Sequence, residues 1–280
     1  MSALAVPRHS LVLAKRNLIG VLRNPEALLD VTIQPVIFIA LFTYIFGGAI
    51  ADGSQQDYLQ FLLPGVLAQM VAFGSVSIGV NLSTDIQKGV FDRFRSLPIA
   101  RAAPLIGAVL ADVVRFTLLC VVTLGFGYAL GFRAQTGPLE VLAACALVIA
   151  FALCLAWVAV FVGMLARTPG SVQGILFLTM FPLTFGTSTF VPTNTMPNWL
   201  QSFTEVNPLT HLIGSLRALL LDQPMGNHLL WTFVSMAVLL VVFVPLALRA
   251  YGLTGVRRTP RAGRGRPHGK AEAADPAPGA

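Results

Sequence analysis

Six long apolar runs, at about 29 to 49, 59 to 83, 103 to 131, 139 to 165, 172 to 191 and 229 to 250, organise this sequence of 280 residues. A helix needs about 20 predominantly apolar residues, rising 1.5 Å each, to cross a hydrocarbon core about 30 Å thick, so each run predicts a membrane-spanning helix. Two of the polar segments between the runs carry helical patterning of their own. In the segment from Thr84 to Arg101, Thr84 and Gln87 have capping-box spacing, Pro98 supplies a stop, and Val90, Phe91, Phe94 and Leu97 share one helical face. Lys88, Asp92, Arg93 and Arg95 occupy the other faces, so the spacing predicts a short amphipathic helix that either lies on lipid or docks on protein.

The segment from about 192 to 228 reads as two short helices. Pro197 opens the first, with Trp199, Leu200 and Phe203 as interfacial contacts. Asn207 and Pro208 form an N-cap and first-turn pair for the second, after which Leu209, Leu212, Ile213, Leu216 and Leu219 trace one face until Asp222 and Pro224. Neither helix is long enough to span, and irregular backbone facing lipid would be unsatisfied, so the pair predicts a re-entrant or interfacial hairpin packed against protein. At the N-terminus, Leu11, Leu18, Ile19 and Leu22 recur at helical spacing with Arg16 and Arg23 on another face, as in a helix lying in the interface plane; Lys15, beside the stripe, has to snorkel. No apolar stretch in the first 28 residues ends in a cleavage site, so that segment is expected to be retained.

Composition changes the picture from apolar helices to a polytopic membrane protein. Hydrophobic residues make up 55% of the chain and charged residues 11%, with a mean hydropathy of +0.76, against about a quarter charged in soluble domains. The expected fold is all-α: residues 29 to 250 form a domain of six transmembrane helices, residues 1 to 28 a cytoplasmic N-terminus with an interfacial helix, and residues 251 to 280 a disordered basic cytoplasmic tail, whose stretch from 255 on is rich in Arg, Gly, Pro and Ala without an aromatic.

Charge sets the expected orientation. Of 19 Lys and Arg residues, 16 fall on the side of the two termini and the second and fourth connections, two on the other side, and Arg115 within a run. Basic loops are retained in the cytoplasm during insertion, so both termini are expected to be cytoplasmic. The net charge of +7 belongs to residues flanking the runs, which fits anionic headgroups and a lipid bilayer rather than nucleic acid. Cys120, Cys145 and Cys154 all lie inside runs and are expected to be reduced thiols; no Cys or His cluster has metal-ligand spacing. The excess of Arg over Lys points to a GC-rich bacterial source and hence a bacterial plasma membrane.

Within the runs, Asp112 and Arg115 are the opposite charges spaced i, i+3. Each costs about 2.5 to 3.5 kcal/mol at the centre of a lipid-facing helix, against about 0.3 to 0.6 contributed by each strong apolar residue. The pair must therefore face protein or water, or sit near the cytoplasmic end; a structural tie between helices and a place on a substrate route both remain open. Pro35, Pro182 and Pro245 are expected to bend their helices, Gly125, Gly127 and Gly131 to permit close approach, and His211 to make local hydrogen bonds.

Two segments carry a resemblance to a known family. The string FDRFRSLPIAR, Phe91 to Arg101, resembles the cytoplasmic loop of ABC transporter permeases of the type-2 exporter superfamily, in particular the daunorubicin-resistance permease-like family. The string from Phe190 to Leu212 is similar to that family's segment between spans five and six, and the six-run layout extends the likeness over about residues 8 to 252. The resemblance implies that Gln87, Lys88, Val90, Phe91, Arg93, Phe94, Arg95 and Leu97 belong to a coupling helix seated in a groove of a separate ABC ATPase subunit. It also implies a second permease chain, expected to be identical, and an external gate that includes Pro197, Trp199, Phe203, Asn207, Pro208, Leu212 and Arg217; a lid that only packs over the spans is the alternative. Family members often carry acidic residues before the loop glycine, where this chain has Gln87 and Lys88 before Gly89.

The implied function is the permease half of an exporter moving an amphipathic or hydrophobic small molecule, a drug or natural product. No G-x-x-x-x-G-K-[ST] string occurs, so no cofactor is expected on this chain, and ATP and Mg are expected on the partner ATPase. Export of a lipid-linked glycan or polymer would use the same layout. An ATP-independent channel or secondary transporter calls for more intramembrane titratable groups or broken-helix repeats than this chain has, and an intramembrane enzyme for a nucleophile or metal motif.

Overall fold

The computed structural model describes residues 25–50, 55–90 and 103–254. Eight α-helices occur among them: α1 (Pro25–Ile50), α2 (Gln55–Gln87), α3 (Ala103–Leu130), α4 (Pro138–Leu165), α5 (Pro169–Phe185), α6 (Asn198–Val206), α7 (Pro208–Leu221) and α8 (His228–Thr254). A helix therefore lies on each of the six apolar runs, and α6 and α7 form the two short helices expected before the last. The Leu11 to Leu22 stripe, the stretch from Phe91 to Arg101 and the tail beyond Thr254 fall outside the described residues; residues 251–254, expected in the disordered tail, continue α8 instead.

Among the described residues, four helices are long and apolar enough to cross a membrane: Gln55–Gln87, Asp112–Leu130, Pro138–Leu165 and His228–Tyr251. The apolar segments on the first and fifth runs are shorter, Thr32–Gly47 and Pro169–Phe185. The fifth run was expected to reach 191, but its helix begins earlier and ends sooner. Thr168 caps it by accepting from the Ser171 amide at 3.2 Å, Pro169 takes the first turn, and the helix stops at Gly186. Its 17 residues reach about 26 Å at 1.5 Å per residue, short of the hydrocarbon thickness.

The helices differ in how much of their surface other helices cover. Along α2, 78% of the most apolar window is buried, whereas along α8 only 6% is. Accordingly α2 is the central helix, packed against α1, α3, α4, α5 and α7, and α8 is peripheral, touching α4 and α7. The closest crossing is between α2 and α4 at a glycine pair: a Cβ on Gly79 would lie 2.6 Å from the Ala159 carbonyl oxygen, and one on Gly163 would lie 2.7 Å from that of Gly79. Of the three glycines expected to permit close approach, Gly127 does so against Leu63, Gly125 faces open space, and Gly131 serves instead in the turn that ends α3, at φ +110°. Pro35, Pro182 and Pro245 all lie inside helices, as does Pro64.

The bundle has two ends. At one, Gln87 Nε2 donates to the Arg167 carbonyl at 3.1 Å, which fastens the end of α2 to the α4–α5 turn. At the other, the α3–α4 connection meets the hairpin of α6 and α7: the Gln135 amide and the Thr136 hydroxyl donate to the Leu220 and Leu219 carbonyls at 2.9 and 2.6 Å. These bonds satisfy carbonyls at the end of α7 that have no partner within the helix.

Candidate functional site

The loop expected to open at Thr84 begins later than the capping-box reading placed it. Thr84 lies inside α2, its hydroxyl donating back to the Val80 carbonyl at 2.9 Å and its carbonyl accepting from the Lys88 amide at 3.0 Å. An N-cap needs extended backbone, and here the apolar helix simply propagates through the position. Gly89 supplies the true break, at φ 70°, in the left-handed region that glycine enters at no steric cost. Gln87 is thus the last residue of α2 and Lys88 sits in the turn, so neither belongs to a helix starting after the glycine; Val90 is helical again. Phe91, Arg93, Phe94, Arg95 and Leu97 lie outside the described residues.

Asp112 and Arg115 are brought together and face protein. Arg115 Nε lies 2.7 Å from Asp112 Oδ1, Nη2 donates to the Gly74 carbonyl at 2.5 Å, and Nη1 donates to the Ser77 hydroxyl. The guanidinium also lies 5.1 Å from the centroid of the Phe116 ring. Arg115 stands about 18 Å along α3 from its start at 1.5 Å per residue, near mid-helix. Only 8% of its side chain is exposed, so the pair binds α3 to α2 and the lipid-facing cost does not arise.

The hairpin is more deeply anchored than its amphipathic pattern indicated. Asn207 caps α7 by accepting from the Leu209 amide at 3.0 Å, and its Nδ2 donates to the Leu183 and Gly186 carbonyls at 2.7 and 2.8 Å. One side chain therefore starts α7 and satisfies the end of α5, which has no amides of its own to offer those carbonyls. Pro208 occupies the first turn, as expected, and Asp222 at φ 52° ends the helix. Leu209, Leu212, Ile213 and Leu216 are buried, but so are Thr210, Ser215 and Arg217, because α7 is enclosed by α2, α4 and α8 rather than lying on one face.

Arg217 carried no pattern that announced this role. Its guanidinium lies 3.9 Å from the Phe61 ring centroid, Nη2 donates to the Ser188 and Phe61 carbonyls at 2.7 and 3.1 Å, and Nη1 donates to the Ser188 hydroxyl at 3.1 Å. It joins α7, α2 and the segment after α5 at one point. On α6, Pro197 is the N-cap, and Trp199 and Phe203 project outward, 73% and 42% exposed. Phe203 also closes over Gly186, where a Cβ would meet its ring at 2.4 Å.

One feature had no counterpart in the sequence reading. Phenylalanine rings from α1, α2, α5 and the following segment form a continuous row: Phe38, Phe42 and Phe46 along α1, then Phe190, Phe185, Phe181 and Phe177, and Phe73 on α2. Neighbouring centroids are 4.3 to 6.0 Å apart, within the range in which offset rings attract. Phe46, Phe177, Phe181 and Phe185 are each more than a third exposed. The i, i+4 spacing within α1 and within α5 is visible in the chain; the joining of the two through Phe190 is not.

His211 and His228 meet at the hairpin, Nδ1 to Nδ1 at 3.3 Å. Cys120, Cys145 and Cys154 are free thiols. Among the described residues no group of three His, Cys, Asp or Glu side chains is placed to hold a metal.

Comparison with known proteins identifies the family. The model of the family described as ABC-2 type transporter matches residues 8–221. A daunorubicin resistance ABC transporter permease of Streptomyces coeruleorubidus is 40% identical over 231 residues, covering 81% of this chain and 80% of the relative. A doxorubicin resistance ABC transporter permease of Mycobacterium tuberculosis is 30% identical over 254 residues, 84% of this chain and 87% of the relative. A putative transport permease of Cyanophora paradoxa is 27% identical over 234 residues, 80% of this chain and 76% of the relative.

Proposed function

This chain belongs to the ABC-2 type transporter family, and from that premise we propose that it is the membrane half of an exporter for flat, amphipathic drug-like molecules, driven by a separate ABC ATPase. The observation that carries the cargo class is the exposed phenylalanine row on α1 and α5. Aromatic faces attract planar rings at modest strength, about 0.5 to 1.5 kcal/mol for each well-placed pair, which suits a surface that must both accept and release its cargo. Relatives named for daunorubicin and doxorubicin resistance support the same class.

In this reading all six long helices cross the bilayer with both termini cytoplasmic, α1 and α5 at their shorter apolar lengths. The second and fourth connections then share the cytoplasmic face, a placement favoured by the Gln87 to Arg167 bond and by the basic residues of those segments. The helix after Gly89 acts as the lever on which the ATPase pulls, with Phe91 and Phe94 as its apolar contacts and ATP and Mg held by the partner. A second copy of the chain faces the phenylalanine row, so that the route runs between two such walls. The α6–α7 hairpin, tied to α2 and α5 through Arg217 and Asn207, closes the outer end.

The test is purification of the tagged chain together with the ATPase encoded beside it. The reading expects that Phe91→Asp or Phe94→Asp inserts in the membrane at normal yield and no longer retains the ATPase. Full retention by both variants would remove the lever from the account.

A further inference from the structure

A cleft of about 340 Å³ opens between α6, α7 and the start of α8, away from the phenylalanine row. Among the side chains that line it, Glu205 is the only carboxylate, and there is no Lys or Arg. Trp231, half exposed, stacks on His211 with centroids 6.0 Å apart and ring planes 21° apart. Gln201 and Asn227 add amides. Thr210, only 9% exposed, forms part of the buried wall of the cleft.

We infer that this cleft binds an organic cation carrying a protonated amine, with Glu205 as counter-ion and the Trp231 ring as cation–π face. The size is at the small end of ligand pockets, enough for a charged headgroup with its substituents rather than a whole drug-sized molecule. An anion would meet a carboxylate without any compensating base, and a purely apolar ligand would cover the Glu205 carboxylate without offering it a partner.

The histidine pair makes the site selective for pH. Two Nδ1 atoms at 3.3 Å require one donor and one acceptor, so a neutral pair shares the contact and adds no charge to the cleft. Burial first, and then the neighbouring His228, hold the His211 pKa below its ordinary value, the Glu205 backbone acting weakly the other way. The titratable groups facing the pair are Glu205 from α6, His211 from α7 and His228 from α8; Thr193 and Asn227 contribute no charge. When His211 takes up a proton, the added positive charge opposes the cation and partly neutralises Glu205.

This site reads out at equilibrium with no ATPase present, so it stands or falls apart from the exporter reading. The probe is benzylamine, a protonated amine at these pH values, measured by isothermal titration calorimetry on the full chain in phosphatidylcholine nanodiscs, with empty nanodiscs subtracted. The expected result is saturable binding that weakens roughly fivefold in Glu205→Gln and in Trp231→Leu, as loss of a partly solvated ion pair or cation–π contact requires. Because His211 is held below its ordinary value, affinity should be unchanged from about pH 7.5 down through the ordinary histidine range near about pH 6.5 and fall only below it, and His211→Gln should remove that fall. Circular dichroism and unfolding temperature report whether each variant is folded. Unsaturable binding, or unchanged affinity in folded Glu205→Gln, overturns the inference.

Discussion

Replacing Asn207 tests how the hairpin is fixed to the bundle, because one side chain makes three bonds that different substitutions remove separately. Asn207→Ala loses the cap on the Leu209 amide, worth about 1 kcal/mol. It also loses the two donations to the Leu183 and Gly186 carbonyls, each worth about 1 kcal/mol with the carbonyls left buried. The sum is about 3 kcal/mol. Asn207→Ser restores a cap acceptor and should recover about 1 kcal/mol of that loss. Asn207→Asp also keeps an acceptor, but it sets a carboxylate where an amide now lies 2.7 and 2.8 Å from two carbonyl oxygens, and like partial charges repel. The expected order of stability is therefore Asn, then Ser, then Ala, with Asp lowest. Tryptophan fluorescence during denaturant unfolding in micelles reads it, since Trp199 lies on α6 within the hairpin and Trp231 on the adjoining α8. An Asp variant as stable as the parent, or an Ala variant within about 0.5 kcal/mol of it, would refute the tie between α5 and α7.

Other outcomes follow from the packing. Gly79→Ala should destabilise the protein by about 1 to 3 kcal/mol, because its Cβ meets backbone of α4 that cannot move aside; Gly125→Ala, which meets nothing within 4 Å, should be neutral or slightly stabilising, and thermal unfolding of the two variants separates them. Removing Arg115 alone, as Arg115→Met, should cost about 3 to 5 kcal/mol, and pairing it with Asp112→Leu should recover most of that loss; a double-mutant cycle by denaturant unfolding checks this, and additive losses would remove the coupling. Leu178 is 77% exposed beside the phenylalanine row, so Leu178→Cys in a background without the native cysteines should crosslink two copies of the chain in membranes, whereas absence of any dimer would move the row away from the contact between copies.

Much of the molecule was legible in the chain because the signals were local. Apolar runs placed the helices, and the Asn207–Pro208 pair and Asp222 marked both ends of α7. The Asp112 to Arg115 spacing matched the ion pair found. Where a local signal competed with a stronger one, the reading failed: Thr84 with Gln87 has the spacing of a cap, yet the helix runs on until Gly89 takes a positive φ. What was not legible depends on partners far apart in sequence. Gly79 and Gly163 become neighbours only when α2 meets α4, and Arg217 becomes a buried tie only when Phe61 and Ser188 reach it. The phenylalanine row likewise needs Phe190 to bridge Phe42 and Phe185. No periodicity within one segment encodes such meetings.

The account's central claim is that this chain forms the passage and receives its power from another subunit. The most direct measurement is uptake of rhodamine 6G into proteoliposomes whose cytoplasmic face is outward, with the chain reconstituted alone and together with its ATPase. The account predicts no ATP-dependent accumulation by the chain alone and accumulation against a gradient when ATPase, ATP and Mg are present. Concentrative uptake by the isolated chain would contradict it.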